Sequence, residues 1–338
     1  MLHYVTATAI DPVTDHPRSL TVTLDPADRA FRGVARFSGA LVLAITTLVG
    51  VFLAVRAWEA LRVAGGSFVT TSAWEPDSRH FGITAILLGT VLVGLVALFF
   101  AFPLALGTAL YISEYAPNRF KRLLISLVDL MAAVPSVVFG LWGFFFLQGH
   151  VLGVARWVSR YFGWIPLFKV DGADPGNPLA SATVYTSSTF IAGMVVALMV
   201  TPIMCSIMRE AFTQAPLGER EGAYALGATR WGMIRTVVIP FGKGGIIGGT
   251  MLGLGRALGE TIAVYLILSQ LIAIQPHILQ NGGSTISSLI ALRFGAASHL
   301  GISALMAAGL TLFLVTMAVN FAASSIVSRS RSGAASEA

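Results

Sequence analysis

The chain is 338 residues long, 55% hydrophobic and only 11% charged. Soluble domains carry about 25% charged residues, so these few charges cannot cover a water-facing surface of this size, and an ordinary soluble protein is excluded. A net charge of +6 would suggest nucleic acid in a soluble chain, but here it is explained by membrane topology; the one cysteine, Cys205, forms neither an internal disulfide nor a thiolate metal cluster.

Residues 1–36 are polar, mixed in charge and without a signal-peptide core. They read as a cytoplasmic tail, with targeting left to the first spanning helix. Asp25-Pro26 forms an N-cap with proline at the first helical position. The mixture Arg29, Phe31, Arg32, Val34, Arg36 and Phe37 then suits a short helix lying at the lipid surface. A bilayer core of about 30 Å takes about 20 apolar helical residues. Six runs qualify: 37–55, 83–112, 124–147, 190–208, 245–268 and 302–327. Together they predict an all-α integral membrane protein with six transmembrane helices over 37–330. Pro103, Pro135 and Pro202 fall inside the second, third and fourth runs, where neighbouring helices can satisfy the freed carbonyls. A cytoplasmic N-terminus places fourteen Lys and Arg inside against seven outside. Both termini, including the tail 331–338, are therefore expected in the cytoplasm. The outer connection 149–189 is rich in Gly and Pro, with Trp157, Tyr161 and Trp164 suited to the membrane interface.

Three ionisable residues lie inside apolar runs: Asp129, Arg256 and Glu260. Each costs about 2.5–3.5 kcal/mol at the centre of an isolated spanning helix, so each should face protein or water and have a partner. Arg256 and Glu260 stand four apart, on one face of the expected fifth helix, where they can pair. Gly245, Gly249 and Gly253 make a strip that lets another backbone approach closely. Arg256 serves either as a planar donor on the route of an anion or as half of an ion pair that fixes helix register. The residues alone leave both readings open. Asp129, near the inner end of its run, reads first as structural.

The inner loop 209–244 predicts a short helix from Pro216-Leu217 to Leu226, stopped by Gly227. A second helix is capped by Thr229 and runs to the residue before Pro240. Gly242-Lys243-Gly244 lacks the hydroxyl after the lysine and the upstream glycine of a phosphate-binding loop, so ATP hydrolysis would fall to another subunit.

Glu221-Gly222-Ala223, Gly227 four residues on, then Val237, Ile239 and Pro240 resemble the EAA motif of ABC importer permeases. The departures are Gly222, Val237 and Ile239, all small or aliphatic exchanges. In that family this segment is the coupling helix, so the resemblance gives Glu221, Gly222, Ala223, Gly227 and Pro240 an ATPase-coupling role. The stretch Gly255-Arg256-Ala257-Leu258-Gly259-Glu260-Thr261-Ile262-Ala263-Val264 is similar to the fifth span of PstC-type phosphate permeases. Tyr111–Ala116 and Val134–Gly143 are similar to the same family, over about residues 80–330. The resemblance implies a type I ABC importer permease of MetI-like architecture. It places Arg256 and Glu260 on a phosphate route, with Asp129 added where the family often has Glu. It implies four partners: a PstA-type permease, a PstB-type ATPase dimer, an extracytoplasmic phosphate-binding protein and membrane lipid. ATP and Mg would sit on the ATPase, with no cofactor, metal, catalytic residue or nucleic acid on this chain. Alternatives are a sulfate or molybdate permease, a secondary transporter or channel, and an intramembrane enzyme. The last lacks a catalytic set, since His3, His16, His80, His150, His277 and His299 are all read as lying in loops or tails.

Overall fold

The structure, a computed structural model, describes residues 25–172, 177 and 181–331. Most of the expected polar tail, with His3 and His16, and the end of the C-terminal tail lie outside the described residues. The chain divides into two units, residues 1–49 and 50–338.

Helix α1, Pro26–Ala64, opens at the expected Asp25-Pro26 pair, and the Arg29 N–H donates to the Asp25 carbonyl at 3.0 Å. Among the described residues no separate interfacial helix precedes the first span, because 26–64 is one helix. Only glycines such as Gly33 and Gly39 interrupt the pattern there. They weaken a helix by about 1 kcal/mol each but leave its hydrogen bonds intact, unlike proline. At 1.5 Å per residue α1 is about 58 Å long, well over the hydrocarbon thickness, so its basic first turns can extend beyond lipid.

A two-residue hairpin follows in the second unit, β1 Trp74–Glu75 against β2 His80–Phe81. Helix α2 then runs Thr84–Tyr115 and finishes in a π-type turn, Tyr111–Tyr115. Helix α3, Asn118–Ala133, has no buried residue, and α4 spans Ser136–Phe162. The expected third span, 124–147, is therefore corrected. Val134 is extended (ψ 128°) before Pro135, as the proline ring requires of its predecessor. The break yields two helices, and the membrane-length one starts at Ser136. Trp157, Tyr161 and His150 consequently lie on α4 and not in an outer loop.

Helix α5 is Thr189–Thr213. Then come α6 Leu217–Ala225, α7 Arg230–Phe241 and α8 Lys243–Leu258, α9 Ile262–Ile267, α10 Ile286–Arg293 and α11 His299–Arg331. Among the described residues α1, α2, α4, α5 and α11 are long and apolar enough to cross a membrane. A sixth span is reached if α7 and α8, bent by 67°, count as one. The expected stop before Pro240 is not seen, since α7 continues through it to Phe241. A π-type turn at Ile234–Val238 precedes the proline, and such widened turns accommodate irregular helix hydrogen bonding.

The core centres on α5. Val93, Ala97, Ala101, Ala105 and Ala109 of α2 are spaced by four and at most 1% exposed, which gives a strip of mostly small side chains for close helix contact. Gly193 of α5 sits on this strip, where a Cβ would collide with Val96. The predicted glycine strip of α8 behaves in the same way. A Cβ on Gly245 would collide with Ala211, and one on Gly253 would lie 2.5 Å from the Met204 side chain. Both partners belong to α5.

Candidate functional site

The residues predicted for an anion route do not pair as expected. Helix α8 stops at Leu258, and Gly259 (φ −89°, ψ −2°) leaves the helical run. Glu260 therefore is not one turn along from Arg256 on a continuous helix. Its Oε1 instead accepts from the Ala263 N–H at 3.3 Å, in the first turn of α9. Free N–H groups at a helix start attract a carboxylate, and two glycines within five residues, Gly255 and Gly259, weaken the helix that would have held the pair together.

Arg256 is exposed and Glu260 half-buried. Arg256 and Asp129 have no ion-pair partner among the described residues. Asp129 sits exposed on α3, a helix separate from the long spans, and the structure does not join it to Arg256 or Glu260. Leu252 and Arg256 are four apart and both exposed, so they mark one outward face of α8. The same face continues through Gly248 into an open groove of about 1240 Å³. That groove is walled by α5, α8 and α11 and carries Ser206, Glu210, Gln214, Asn320 and Ser324 among glycines and apolar side chains. Asn320 is also the nearest group to Gly255, its Oδ1 3.8 Å from where a Cβ would stand.

In the loop 209–244 the first helix with its Gly227 stop and the Thr229 cap of the second form as their residues predict, while the stop before Pro240 does not. Helix α6 ends on Gly227, whose φ of +81° is left-handed and favours glycine. The Gly227 N–H donates to the Tyr224 carbonyl at 2.9 Å and the Ala228 N–H to the Ala223 carbonyl at 3.0 Å. These two bonds are the paired closures of a Schellman turn. Thr229 Oγ1 accepts from the Gly232 N–H at 3.1 Å and caps α7. Glu221 and Gly222 are exposed and Ala223 half-buried. Leu217, Tyr224, Leu226 and Trp231 are exposed by 69, 44, 91 and 57%, which leaves an apolar patch on two rigidly joined short helices. Exposed apolar patches of this kind mark interaction sites.

The model of the family described as "Binding-protein-dependent transport system inner membrane component" matches residues 101–332. The chain belongs to this family. It is 38% identical over 323 residues to the phosphate transport system permease protein PstC 2 of Mycobacterium tuberculosis, covering 94% of this chain and 97% of that one. It is 35% identical over 294 residues to the phosphate transport system permease protein PstC of Haemophilus influenzae, covering 86% and 89%. Its fold is shared with the crystal structure of a bacterial ABC transporter involved in the import of the acidic polysaccharide alginate. There the TM-score is 0.53 at 18% identity, with 89% of this chain and 99% of that chain covered.

Two contacts in this inner membrane component escape sequence reasoning. Arg220 of α6 donates through Nη1 to Glu114 Oε2 at 3.1 Å, with the two side chains 18% and 4% exposed. Its other terminal nitrogen, Nη2, donates to the Phe212 carbonyl at 2.6 Å. Arg230, in the first turn of α7, lies over the Tyr115 ring at 5.3 Å. Glu114 and Arg220 are 106 positions apart, so no periodicity joins them. The only sequence signal was the Tyr111–Ala116 stretch, which resembles the family without declaring a role.

Proposed function

We propose that this inner membrane component is the PstC-type permease subunit of an ATP-driven phosphate importer, with both termini in the cytoplasm. The observation that carries the reading is Arg256, an exposed guanidinium without an ion-pair partner at the end of a buried-sided apolar helix. Against lipid it would cost about 2.5–3.5 kcal/mol on insertion scales. The outward face of α8 is therefore better covered by a second permease subunit, with an aqueous route between the two. A guanidinium offers planar paired donors that match a tetrahedral oxyanion, and phosphate is the anion in the names of the relatives that span nearly the whole chain. Glu260 holds the start of α9 in place and keeps a carboxylate one helix break away from Arg256. Asp129, exposed on α3, is the weakest member of the path set.

The partners follow from the same surfaces. An extracytoplasmic phosphate-binding protein delivers substrate at the outer connections. A PstB-type ATPase dimer, which carries the ATP and Mg, grips α6 through Leu217, Tyr224 and Leu226. A PstA-type permease completes the route. ATP binding draws the gripped helices together, and the route passes between outward-open and inward-open populations. Glu221, Gly222, Ala223 and Gly227 act here as docking surface, and Pro240 lies near the bend into α8.

The test is Arg256→Gln beside Arg256→Lys in the assembled complex. Uptake of radiolabelled phosphate should be lost in the Gln variant and reduced in the Lys variant, with membrane insertion and ATPase co-purification unchanged. Uptake by Arg256→Gln equal to the unmodified protein removes Arg256 from the route. Competition by sulfate or molybdate at equal concentration separates the other-oxyanion reading.

A further inference from the structure

We infer that the inner end of α2 is a transmission element, clamped to the ATPase-docking loop by Arg220 and Arg230, and that Glu114 is the positioning residue through which docking-helix motion reaches the spans. The inference rests on the coupling role proposed above and adds to it the route by which the motion leaves α6.

The observations are local and independent of any likeness to other proteins. The π-type turn Tyr111–Tyr115 closes α2, with the Ala116 N–H on the Tyr111 carbonyl at 2.8 Å. Such turns are frequent at functional sites. The turn presents two adjacent side chains to the inner loop, and each meets a different short helix. Glu114 takes the α6 guanidinium at 3.1 Å, and Tyr115 lies under the α7 guanidinium at 5.3 Å. Helices α6 and α7 are held to each other by the Schellman turn at Gly227, so the turn at the end of α2 is gripped by both arms of one rigid corner.

Arg220 also ties the corner to α5, through the Phe212 carbonyl at 2.6 Å. One guanidinium therefore links α6 to the inner ends of α2 and α5. Those two helices share the Ala97–Ala109 strip, whose side chains are fully buried and too short to absorb displacement by changing rotamer. The link itself is thin. Glu114 Oε1 and Arg220 Nε are buried with no hydrogen-bond partner, so Glu114 reaches α6 by one charge-assisted bond with no second bond in reserve. A carboxylate and a guanidinium taken from water and joined by one bond are a weak way to gain stability. A mechanical role explains their placement better.

The experiment uses the full complex, with its ATPase and binding protein, reconstituted in proteoliposomes. It reads the ratio of inorganic phosphate taken up to ATP hydrolysed, which a merely structural contact would not move. Glu114→Gln and Arg220→Gln should lower that ratio about tenfold, within the ordinary range for a coupling free energy, while ATPase co-purification persists. The exchange Glu114→Arg with Arg220→Glu should recover part of the loss. Single variants that assemble and keep the unmodified ratio overturn the inference. Where Glu114→Gln fails to accumulate, Arg230→Gln decides, because it leaves the buried pair intact: a lowered ratio supports the clamp and an unchanged ratio overturns it. If the unmodified complex moves phosphate without ATP, the proposed coupling role falls and the clamp with it, an outcome distinct from loss of the clamp alone.

Discussion

Replacing Gly227, first by alanine and then by proline, separates the backbone cost of the α6 stop from its mechanical purpose. Its φ is +81°, and nothing lies within 4 Å of where a Cβ would stand. Alanine therefore meets no clash, and its cost is the left-handed backbone alone, about 1–2 kcal/mol. That reduces the closed turn about 5- to 30-fold relative to open alternatives. Proline is worse for two reasons. Its ring fixes φ near −65°, which no closed form of this turn accepts. It also removes the N–H that donates to Tyr224 at 2.9 Å, worth about 0.5–1.5 kcal/mol more. Gly227 is exposed, so the variant should still insert and accumulate. The assay is phosphate-stimulated ATP hydrolysis beside phosphate uptake in proteoliposomes. Alanine should lower both moderately, and proline should abolish stimulated uptake. Normal stimulation with Gly227→Pro would refute the view of α6 and α7 as one rigid corner.

Three further expectations concern the fold around these sites. Gly245→Val would drive a branched side chain into Ala211 on the α5 face, and overpacking of this kind costs about 1–3 kcal/mol. The thermal midpoint in detergent should fall, and an unchanged midpoint would contradict the α8–α5 seat. Gly222→Ala has open space around it and should raise helix stability by about 0.8–1.0 kcal/mol, read as a higher midpoint of the complex. Asp171, outside the spans, is hydrogen-bonded by Lys169 at 2.8 Å and lies 3.3 Å from His277. The Lys169 bond chiefly holds its carboxyl below the ordinary range. The sign follows: a depressed carboxylate contributes its contact above the usual pKa of about 3.9 and loses it only as pH falls through the lowered value. Protease nicking near residue 171 should be unchanged from pH 7 to 5 and rise only in stronger acid. A rise already between pH 7 and 5 would contradict the Lys169–Asp171 contact as the one that holds this segment.

How much of this was legible varies with the physics of each element. Helices α2 and α5 were readable because their apolar runs are long and their prolines lie inside continuous helix. The third span was misplaced because hydropathy continues across Val134-Pro135 while the backbone does not. Gln148, His150, Arg156 and Arg160 lower the hydropathy of the true span beyond residue 147. The Arg256–Glu260 pair failed for a similar reason. A four-residue spacing predicts a contact only where the helix is unbroken, and Gly259 ends it. The Gly227 stop and the Thr229 cap were legible because each is a local rule with one dominant residue type. The Glu114–Arg220 contact was not, since a tertiary ion pair 106 residues apart leaves no periodic trace.

The two proposed functional surfaces are joined by close contacts of α8 with α5. From the corner formed by α6 and α7, Arg220 holds the Phe212 carbonyl of α5. At the bend between α7 and α8, Gly242 lies so close to Phe212 that a Cβ would collide with its ring. Along α8, Gly245 meets Ala211, and Gly249 and Gly253 meet Met204, after which the helix delivers Arg256 at its last turn. Contiguity by itself does not establish coupling, but the kind of contact matters. Long side chains at a helix interface take up a small shift by changing rotamer, and glycine seated on alanine cannot. Such an interface moves as a unit or separates. Gly245 on Ala211 and Gly249 on the Met204 backbone carbonyl are thus suited to carry motion along α8, whereas Gly253 meets the flexible Met204 side chain. A substitution there that preserves stability, such as Gly249→Ala against the Met204 carbonyl at 3.2 Å, should alter the uptake ratio before it alters the thermal midpoint. The reverse order, a lower midpoint with an intact ratio, would mean that the strip serves packing alone.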